Sequence, residues 1–474
     1  MNDPQYSSVT FRSESAGVGP LMWGQRAIHE VLRWLPPDDD SLNQVAWCPV
    51  AAPLTLSQVV HRLRCLMERH DSLRTRYPER EGEPVQQVAA SGEVELPVFE
   101  IGDEELHAAA TAIGRRIRRG AFDIGADLPV RPAVATRAGV PVAVVLGASH
   151  MAVDGWSFHI VMDELRALLA GGDDAADLLG PPSRQPLQRA RFEASEAGLR
   201  REGRTLDYWA RQLREVPAVM LGNVSTPDQL DRDWARIDSA ALATAAYALS
   251  ARSGSNPATV LLSSIALLLS LRTGEPQAAL RVIVSTRFKP EDQELVGAFN
   301  QNAFVRLTVE DESVEQYLAR SARTALNAYR HSEACALKME EQVEAIARER
   351  GIAPGGYLFF NDTRYGAADR NTPPPTGAGD VAAELERALT GTVISELDLD
   401  GRQSGAKFFV FLDALAESCV LTLCTDPRFH AVVNSAGFLA DLERLMVRAA
   451  IHPDTRVAEL ADLIQRTPEG ASSD

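Results

Sequence analysis

Residues His150-Met151-Ala152-Val153-Asp154-Gly155 bring a histidine, an aspartate four positions on and a glycine directly after it into one short run. Histidine has the side-chain pKa nearest neutrality, so it can take or orient a proton on an attacking amine or alcohol. The glycine permits close backbone approach by a substrate arm. Acyl transfer to a nitrogen or oxygen nucleophile needs such proton handling and something to stabilise the oxyanion that forms. The HxxxD spacing also has a plainer reading, because Asp154 stands where it can cap a helix that begins near Ser157. His150 is one of nine histidines, so its neighbours, not its type, single it out.

These residues need elements to hold them. The Val-rich run Val140 to Leu146, with Pro141 near its start, predicts a strand, and Ala148-Ser149-His150 leaves it directly. After Gly155, the positions Phe158, Val161, Met162, Leu165, Leu168 and Leu169 follow helical spacing up to Gly171-Gly172. The motif therefore falls in a strand-to-helix connection, which can present a side chain and uncommitted amides at the mouth of a cleft. Upstream, Val59, Val60, Leu63, Leu66 and Met67 predict a helix over Leu56 to Leu73. The Gly-, Asp-, Pro- and Ser-rich stretch Gly171 to Pro186 reads as a linker, dividing residues 1–180 from 181–474. In the second part, Pro257 to Arg272 predicts a helix, and Ala279 to Thr286 and Phe304 to Val309 predict strands. Helices and strands alternate throughout, so an α/β sandwich of two layers is expected. Pro373 to Gly379 reads as a loop and the tail after Pro468 as frayed.

The 474 residues suit two large lobes, and 45% hydrophobic with 24% charged residues suits a globular chain with a substantial core. A net charge of -17 opposes a nucleic-acid partner. Arg115-Arg116-Ile117-Arg118-Arg119 is a local basic run, read first as a solvated helix face and second as a surface for an acidic protein partner. Cys48, Cys65, Cys335, Cys419 and Cys424 are scattered and form no CxxC pair, so neither a disulfide framework nor a metal site is expected, and a reducing cytoplasm fits. The first residues lack the pattern of a signal peptide. Ala258 to Leu271, interrupted by Ser263 and Ser264, is too short for a bilayer and reads as a buried helix, so no membrane partner is expected.

Several separated segments carry a family resemblance. Ser149 to Ser157, SHMAVDGWS, resembles the HHxxxDG core of condensation domains of nonribosomal peptide synthetases, with Ser149 in place of the first histidine. Arg69-His70-Asp71-Ser72-Leu73-Arg74-Thr75 resembles that family's RHExLRT signature, and Gly24-Gln25-Arg26 its N-terminal glutamine motif. Phe122-Asp123 with Leu128-Pro129-Val130-Arg131, Tyr208-Trp209 and the helix Val260 to Leu271 also have counterparts there. Val296-Gly297-Ala298-Phe299 and Arg306 are similar to a VGxFVNTxxxR stretch, although Asn300-Gln301-Asn302 stands where Val-Asn-Thr is usual. Phe359-Phe360-Asn361-Asp362 is a looser match.

The resemblance implies an α/β fold of two chloramphenicol acetyltransferase-like lobes, each a mixed sheet with helices, arranged as a V around a central tunnel. The C-terminal lobe, 181–474, would carry latch and floor-loop elements. His150 and Gly155 would be catalytic, the first handling the acceptor's proton and the second facing the oxyanion and the pantetheine arm. Asp154 would be structural and paired with Arg287, ten residues before Gly297. Ser149 and Trp156 would be structural at the site, Ser157 a helix start, and Arg69, Asp71 and Arg74 ties between a helix end and the core. Heterocyclising relatives carry aspartates at both ends of the central motif, and with Ser149 simple condensation is implied instead. No bound cofactor is implied, since the substrate arrives on the phosphopantetheine of a peptidyl or acyl carrier protein. The expectation is a free-standing condensation enzyme acting in trans on an amine or alcohol acceptor. Two alternatives stand beside it: a CoA- or polyketide-carrier-dependent O-acyltransferase of the same superfamily, and a catalytically silent carrier-docking domain.

Overall fold

The Val-rich segment forms a strand as expected, but it runs from Val140 through Ser149 and so delivers His150 at its very end. A computed structural model describes residues 3–172, 179–180, 184–217, 221, 232–352, 357–364, 381–398 and 406–465. Two compact units emerge. The first comprises Met1–Glu202, Ser285–Gln301 and Cys335–Leu337, and the second Gly203–Val284, Asn302–Ala334 and Lys338–Asp474.

The first unit is built on a five-stranded sheet. Its strands are β1 (Gln5–Arg12), β3 (Asn43–Pro49), β7 (Ser91–Glu100), β8 (Val130–Arg137) and β9 (Val140–Ser149), in the order β1-β7-β8-β9-β3. Only β7 and β8 are parallel. A smaller sheet pairs β6 (Glu83–Val88) with β2 (Gly17–Pro20), β4 (Thr75–Arg76) and β5 (Glu79–Arg80). Its helices include α1 (Trp23–Trp34), α2 (Leu56–Arg69), α3 (Leu106–Arg118), α4 (Gly155–Ala170) and α5 (Pro186–Glu193). Val134, Val144 and Leu146 pack with Leu63 and Leu66 of α2 and with Val161 and Leu165 of α4. On the opposite face, Ala133, Ala135, Ala143 and Val145 meet Ala109 and Ile113 of α3. Helices thus cover both faces of the sheet, giving three layers where two were expected. The Val- and Ala-rich strands β8 and β9 are buried on both sides, as such continuous apolar runs require.

Two boundaries differ from the sequence reading. Helix α2 stops at Arg69; His70 takes an extended conformation, and Asp71–Arg74 forms a separate 3-10 turn. Side-chain bonds of Asp71 and Arg74 hold that turn, which apolar periodicity alone does not register. The first unit also continues past 180 to Glu202 and reclaims Ser285–Gln301. The reason is packing: Ala190 of α5 joins Met22, Leu295 and Phe299 in one apolar cluster, and Arg189 reaches Asp292 at 2.6 Å. Most of the Gly171–Pro186 linker, the Pro373–Gly379 loop and the tail after Pro468 lie outside the described residues.

A seven-stranded sheet organises the second unit. With β10 (Asp233–Ser239), β11 (Gln277–Ser285), β12 (Asn300–Thr308), β13 (Tyr357–Asp362), β14 (Val393–Glu396), β15 (Ala406–Leu415) and β16 (Cys419–Thr425), the order is β12-β11-β13-β15-β16-β10-β14. Leu358, Phe360, Phe408, Val410 and Leu412 turn one face of it into the core with α7 (Ala240–Ser253), α8 (Pro257–Thr273), α9 (Val314–Tyr329) and helix Ser435–Ile451. The preceding α6 (Glu196–Glu215) contributes the buried Tyr208 and Trp209. Helix α8 is apolar on every side and buried from Thr259 to Ser270, which a core helix must be. Its cap is Asn256, accepting the Thr259 amide at 2.9 Å, and Gly274 ends it at φ 71°. No single described helix is long and apolar enough to cross a membrane; α7 and α8 pass only jointly, bent by 100°, and both line this core.

Candidate active site

Strand β9 fixes the start of the site. Ser149 pairs with Asn43 on β3, is buried, and accepts the Met151 amide on its hydroxyl at 3.3 Å. The chain then turns so that the Ala152 and Val153 amides bond back to the Ser149 carbonyl at 2.9 and 3.2 Å. Asp154, extended at φ -89° and ψ 175°, caps α4 by accepting the Ser157 amide at 2.8 Å. Sequence-level capping and the chemical motif are therefore one feature.

Imidazole geometry at His150 is specific. Nδ1 lies 2.8 Å from the Val153 carbonyl, and since a carbonyl only accepts, Nδ1 carries the hydrogen. The neutral ring then presents its lone pair at Nε2, which has no hydrogen-bond partner among the described residues. Desolvation outweighs the attraction of the Asp154 charge and the bond to Val153, lowering the imidazole pKa. Neutral imidazole is thus the favoured form, able to receive a proton at Nε2. Gly155 is the first residue of α4, so its N–H has no intrahelical acceptor and adds to the positive end of the helix.

Each carbonyl between His150 and Asp154 is held. The Tyr77 hydroxyl donates to Met151 at 3.0 Å, the Ser72 hydroxyl to Ala152, and the Gln44 amide to Val153 at 3.1 Å. Val153 accepts a second bond from His150 itself. A loop whose carbonyls are all engaged has few alternative conformations, so the ring direction is set by three residues outside the motif. Gln25 of α1, fully buried, reaches the Tyr77 hydroxyl at 3.4 Å and accepts the Met22 amide at 2.9 Å.

Asp154 and Arg287 come together as the resemblance implies. Arg287 donates through Nη1 at 2.6 Å and Nη2 at 3.0 Å to the two carboxylate oxygens, and both residues are buried. Burial alone raises the Asp154 pKa; the Arg287 charge and hydrogen bonds, with the Ser157 and Phe299 amides, overturn that and hold the carboxyl below its ordinary range. Ser157 does more than start a helix. Its hydroxyl donates to Gly297 at 2.7 Å and accepts the Gly297 amide at 2.9 Å, while Arg287 also bonds to it. Trp156 is half-buried and donates from its indole to the Gln293 carbonyl at 3.0 Å.

The other signature residues lie around this frame. Arg69 binds Glu164 of α4 and the Leu179 and Gly180 carbonyls, and His70 donates to Glu164 at 2.5 Å. Asp71 pairs with Arg74, which also bonds the Ser15 and Ala89 carbonyls. Gln301, in the segment that departs from the family pattern, is buried with neither amide atom partnered among the described residues. Arg115, Arg116, Arg118 and Arg119 are all exposed at the end of α3. Among the described residues no His, Cys, Asp and Glu group is arranged to hold a metal ion, and Cys48, Cys65, Cys335, Cys419 and Cys424 are all free thiols.

Sequence reasoning missed Gln44, Ser72, Tyr77 and the full part played by Ser157. Ser72 and Ser157 sit inside quoted motifs and were readable from them. Gln44 and Tyr77 lie 109 and 74 residues from their partners, and no local pattern connects them.

The family described as Condensation domain matches residues 31–349, and the chain belongs to it. Phosphinothricin tripeptide synthetase PhsC of Streptomyces viridochromogenes is 28% identical over 359 residues, covering 73% of this chain and 32% of that protein. The chain thus spans about a third or less of the curated relatives it first matches. Among solved structures, the SgcC5 protein of Streptomyces globisporus has a TM-score of 0.66 at 18% identity, covering 92% of this chain and all (100%) of that one. The condensation domain of the monacolin K polyketide synthase MokA has a TM-score of 0.67 at 14% identity, covering 94% and 100%. The fold is accordingly the mixed α/β, chloramphenicol acetyltransferase-like fold of condensation domains.

Proposed function

We propose that this chain transfers an acyl or aminoacyl group from a carrier-bound phosphopantetheine thioester to an amine or alcohol, forming an amide or an ester in natural-product biosynthesis. The observation that carries this reading is the tautomer of His150, fixed by the Val153 carbonyl so that a basic Nε2 stands free beside the N-terminus of α4. The acceptor heteroatom attacks the thioester carbonyl, forming the new C–N or C–O bond, and its proton passes to Nε2. The carbonyl electron pair moves onto oxygen, where the Gly155 amide is available to donate. Collapse of this intermediate breaks the C–S bond, and the thiolate leaves with the proton held on the imidazole. A catalytically silent docking domain has no use for that tautomer or for an amide left unbonded, which favours an enzyme.

Free-standing action in trans is part of the same proposal, with a peptidyl or acyl carrier protein as donor partner. An acidic carrier approaching a chain of net charge -17 needs a local basic surface, and the exposed Arg115, Arg116, Arg118 and Arg119 supply one. The test offers one acyl group as a carrier thioester and as a CoA thioester, with kcat/KM measured at low and high salt. The carrier thioester is expected to be preferred, with its rate falling as salt rises. Equal values for both donors and no salt effect would place the chain with CoA-dependent O-acyltransferases instead.

A further inference from the structure

Three elements of the second unit enclose an open cleft of about 360 Å³ lined by Tyr208 and Gln212 of α6, Arg306 and Thr308 of β12, and Arg320, Arg323, Thr324 and Asn327 of α9. The spacing explains the lining. Tyr208 and Gln212 are one helical turn apart, Arg306 and Thr308 share a strand face, and Arg320, Arg323, Thr324 and Asn327 recur at i, i+3, i+4 and i+7 on one helix face. Every lining group is polar and none is a carboxylate, in a chain with 65 acidic and 48 basic side chains.

Two of the arginines are held in place. Arg306 donates from Nε to Gln212 at 2.9 Å and from Nη1 to Gln277 at 3.0 Å, and pairs with Glu215 through Nη2. Arg320 pairs with Glu312 and donates from Nη2 to the Thr308 carbonyl at 2.7 Å. A guanidinium has five N–H donors, so both keep some unspent, including all of Arg320 Nη1. Arg323 is exposed, and neither its guanidinium nor the Asn327 side-chain amide has a partner among the described residues. The floor is rigid, since the Tyr208 ring stacks on His331 at 4.6 Å and its hydroxyl donates to the Phe304 carbonyl at 3.2 Å.

We propose that this cleft, which no residue of the His150 loop lines, binds a phosphate group, free or carried on a small organic molecule. Fixed guanidiniums with spare donors suit a tetrahedral oxyanion with three accessible oxygens better than a single hydroxyl or amide. The cleft volume falls in the range of small-molecule sites, leaving room for an organic body behind the phosphate.

Calorimetric titration of the whole chain with inorganic phosphate and with glycerol 3-phosphate tests it. Both probes are expected to bind saturably, and Arg323→Gln should weaken both by about tenfold, the loss of one charge-assisted hydrogen bond of about 1.5 kcal/mol. Arg323 is exposed and unbonded, so this variant keeps its fold; Arg200→Gln, removing an exposed ion pair with Glu196 on α6, serves as the control and should bind as wild type. Tighter binding of the ester assigns a ligand-borne phosphate, and equal binding assigns the free ion; either supports the site. Absence of saturable binding by both probes, or unchanged affinity in Arg323→Gln, overturns it. Salt-sensitive association with an acidic carrier protein, lost in Arg323→Gln while neither small probe binds, would overturn it in favour of a protein-docking surface.

Discussion

Asp154 holds its loop through four kinds of contact at once: the cap to Ser157, the fork to Arg287, the Phe299 amide and its own amide to the Gly297 carbonyl. Removing the carboxylate strands a buried guanidinium, which costs roughly 3–5 kcal/mol. Asp154→Ala is therefore expected to lose both melting temperature and activity; a variant that melts like wild type yet is inactive would point to direct chemistry by Asp154. The pH dependence follows from signs. A carboxyl held below its ordinary pKa of about 3.9 contributes stability above that pH, and loses it as pH falls through the depressed value. His150 is also depressed, by desolvation, so its base form persists at neutrality. The acid limb of kcat/KM should accordingly lie below the ordinary imidazole value of about 6.5, as a pH–rate profile will show; a limb at or above that value would contradict the desolvated, neutral ring.

At the level of elements, the site depends on close approach between α1 and the segment that ends in Phe299. A Cβ on Gly24 would sit 2.1 Å from the Ala298 carbonyl oxygen and 3.0 Å from the Phe299 Cα. Both neighbours are backbone, so nothing flexible can give way. Gly24→Ala should destabilise by about 1–3 kcal/mol or more and displace the Phe299 amide from Asp154; unfolding midpoints measure the first effect, and an unchanged midpoint would refute the close contact. Tyr77→Phe is a milder probe of the same region. It leaves the Met151 carbonyl without its donor in a buried setting, a cost of about 1–3 kcal/mol. Because the loop then loses one of its clamps, kcat should fall more than KM rises, whereas a purely structural tyrosine would leave kcat intact in the folded fraction.

Across the whole molecule, what the sequence disclosed follows from range. The strand leading to His150, the Asp154 cap and helices α4 and α8 rest on local periodicity and capping, and each forms where those signals put it, the strand running on past Leu146 to Ser149. Arg287 was found only through resemblance, because its partner is 133 residues away. The clamps by Gln44 and Tyr77 had no signal at all, and the return of Ser285–Gln301 to the first unit was invisible to a reading that looks for linkers. Helices on both faces of the first sheet likewise depend on where α3 folds back, which periodicity does not specify. The functional account rests on one group, the free Nε2 of His150 in this clamped loop. Its most direct test is product formation from a carrier-bound acyl thioester and an amine or alcohol acceptor, by wild type and by His150→Ala of matched melting temperature. A fall of about a hundredfold or more is expected, and a folded His150→Ala protein that forms product at close to the wild-type rate would remove His150 from the mechanism.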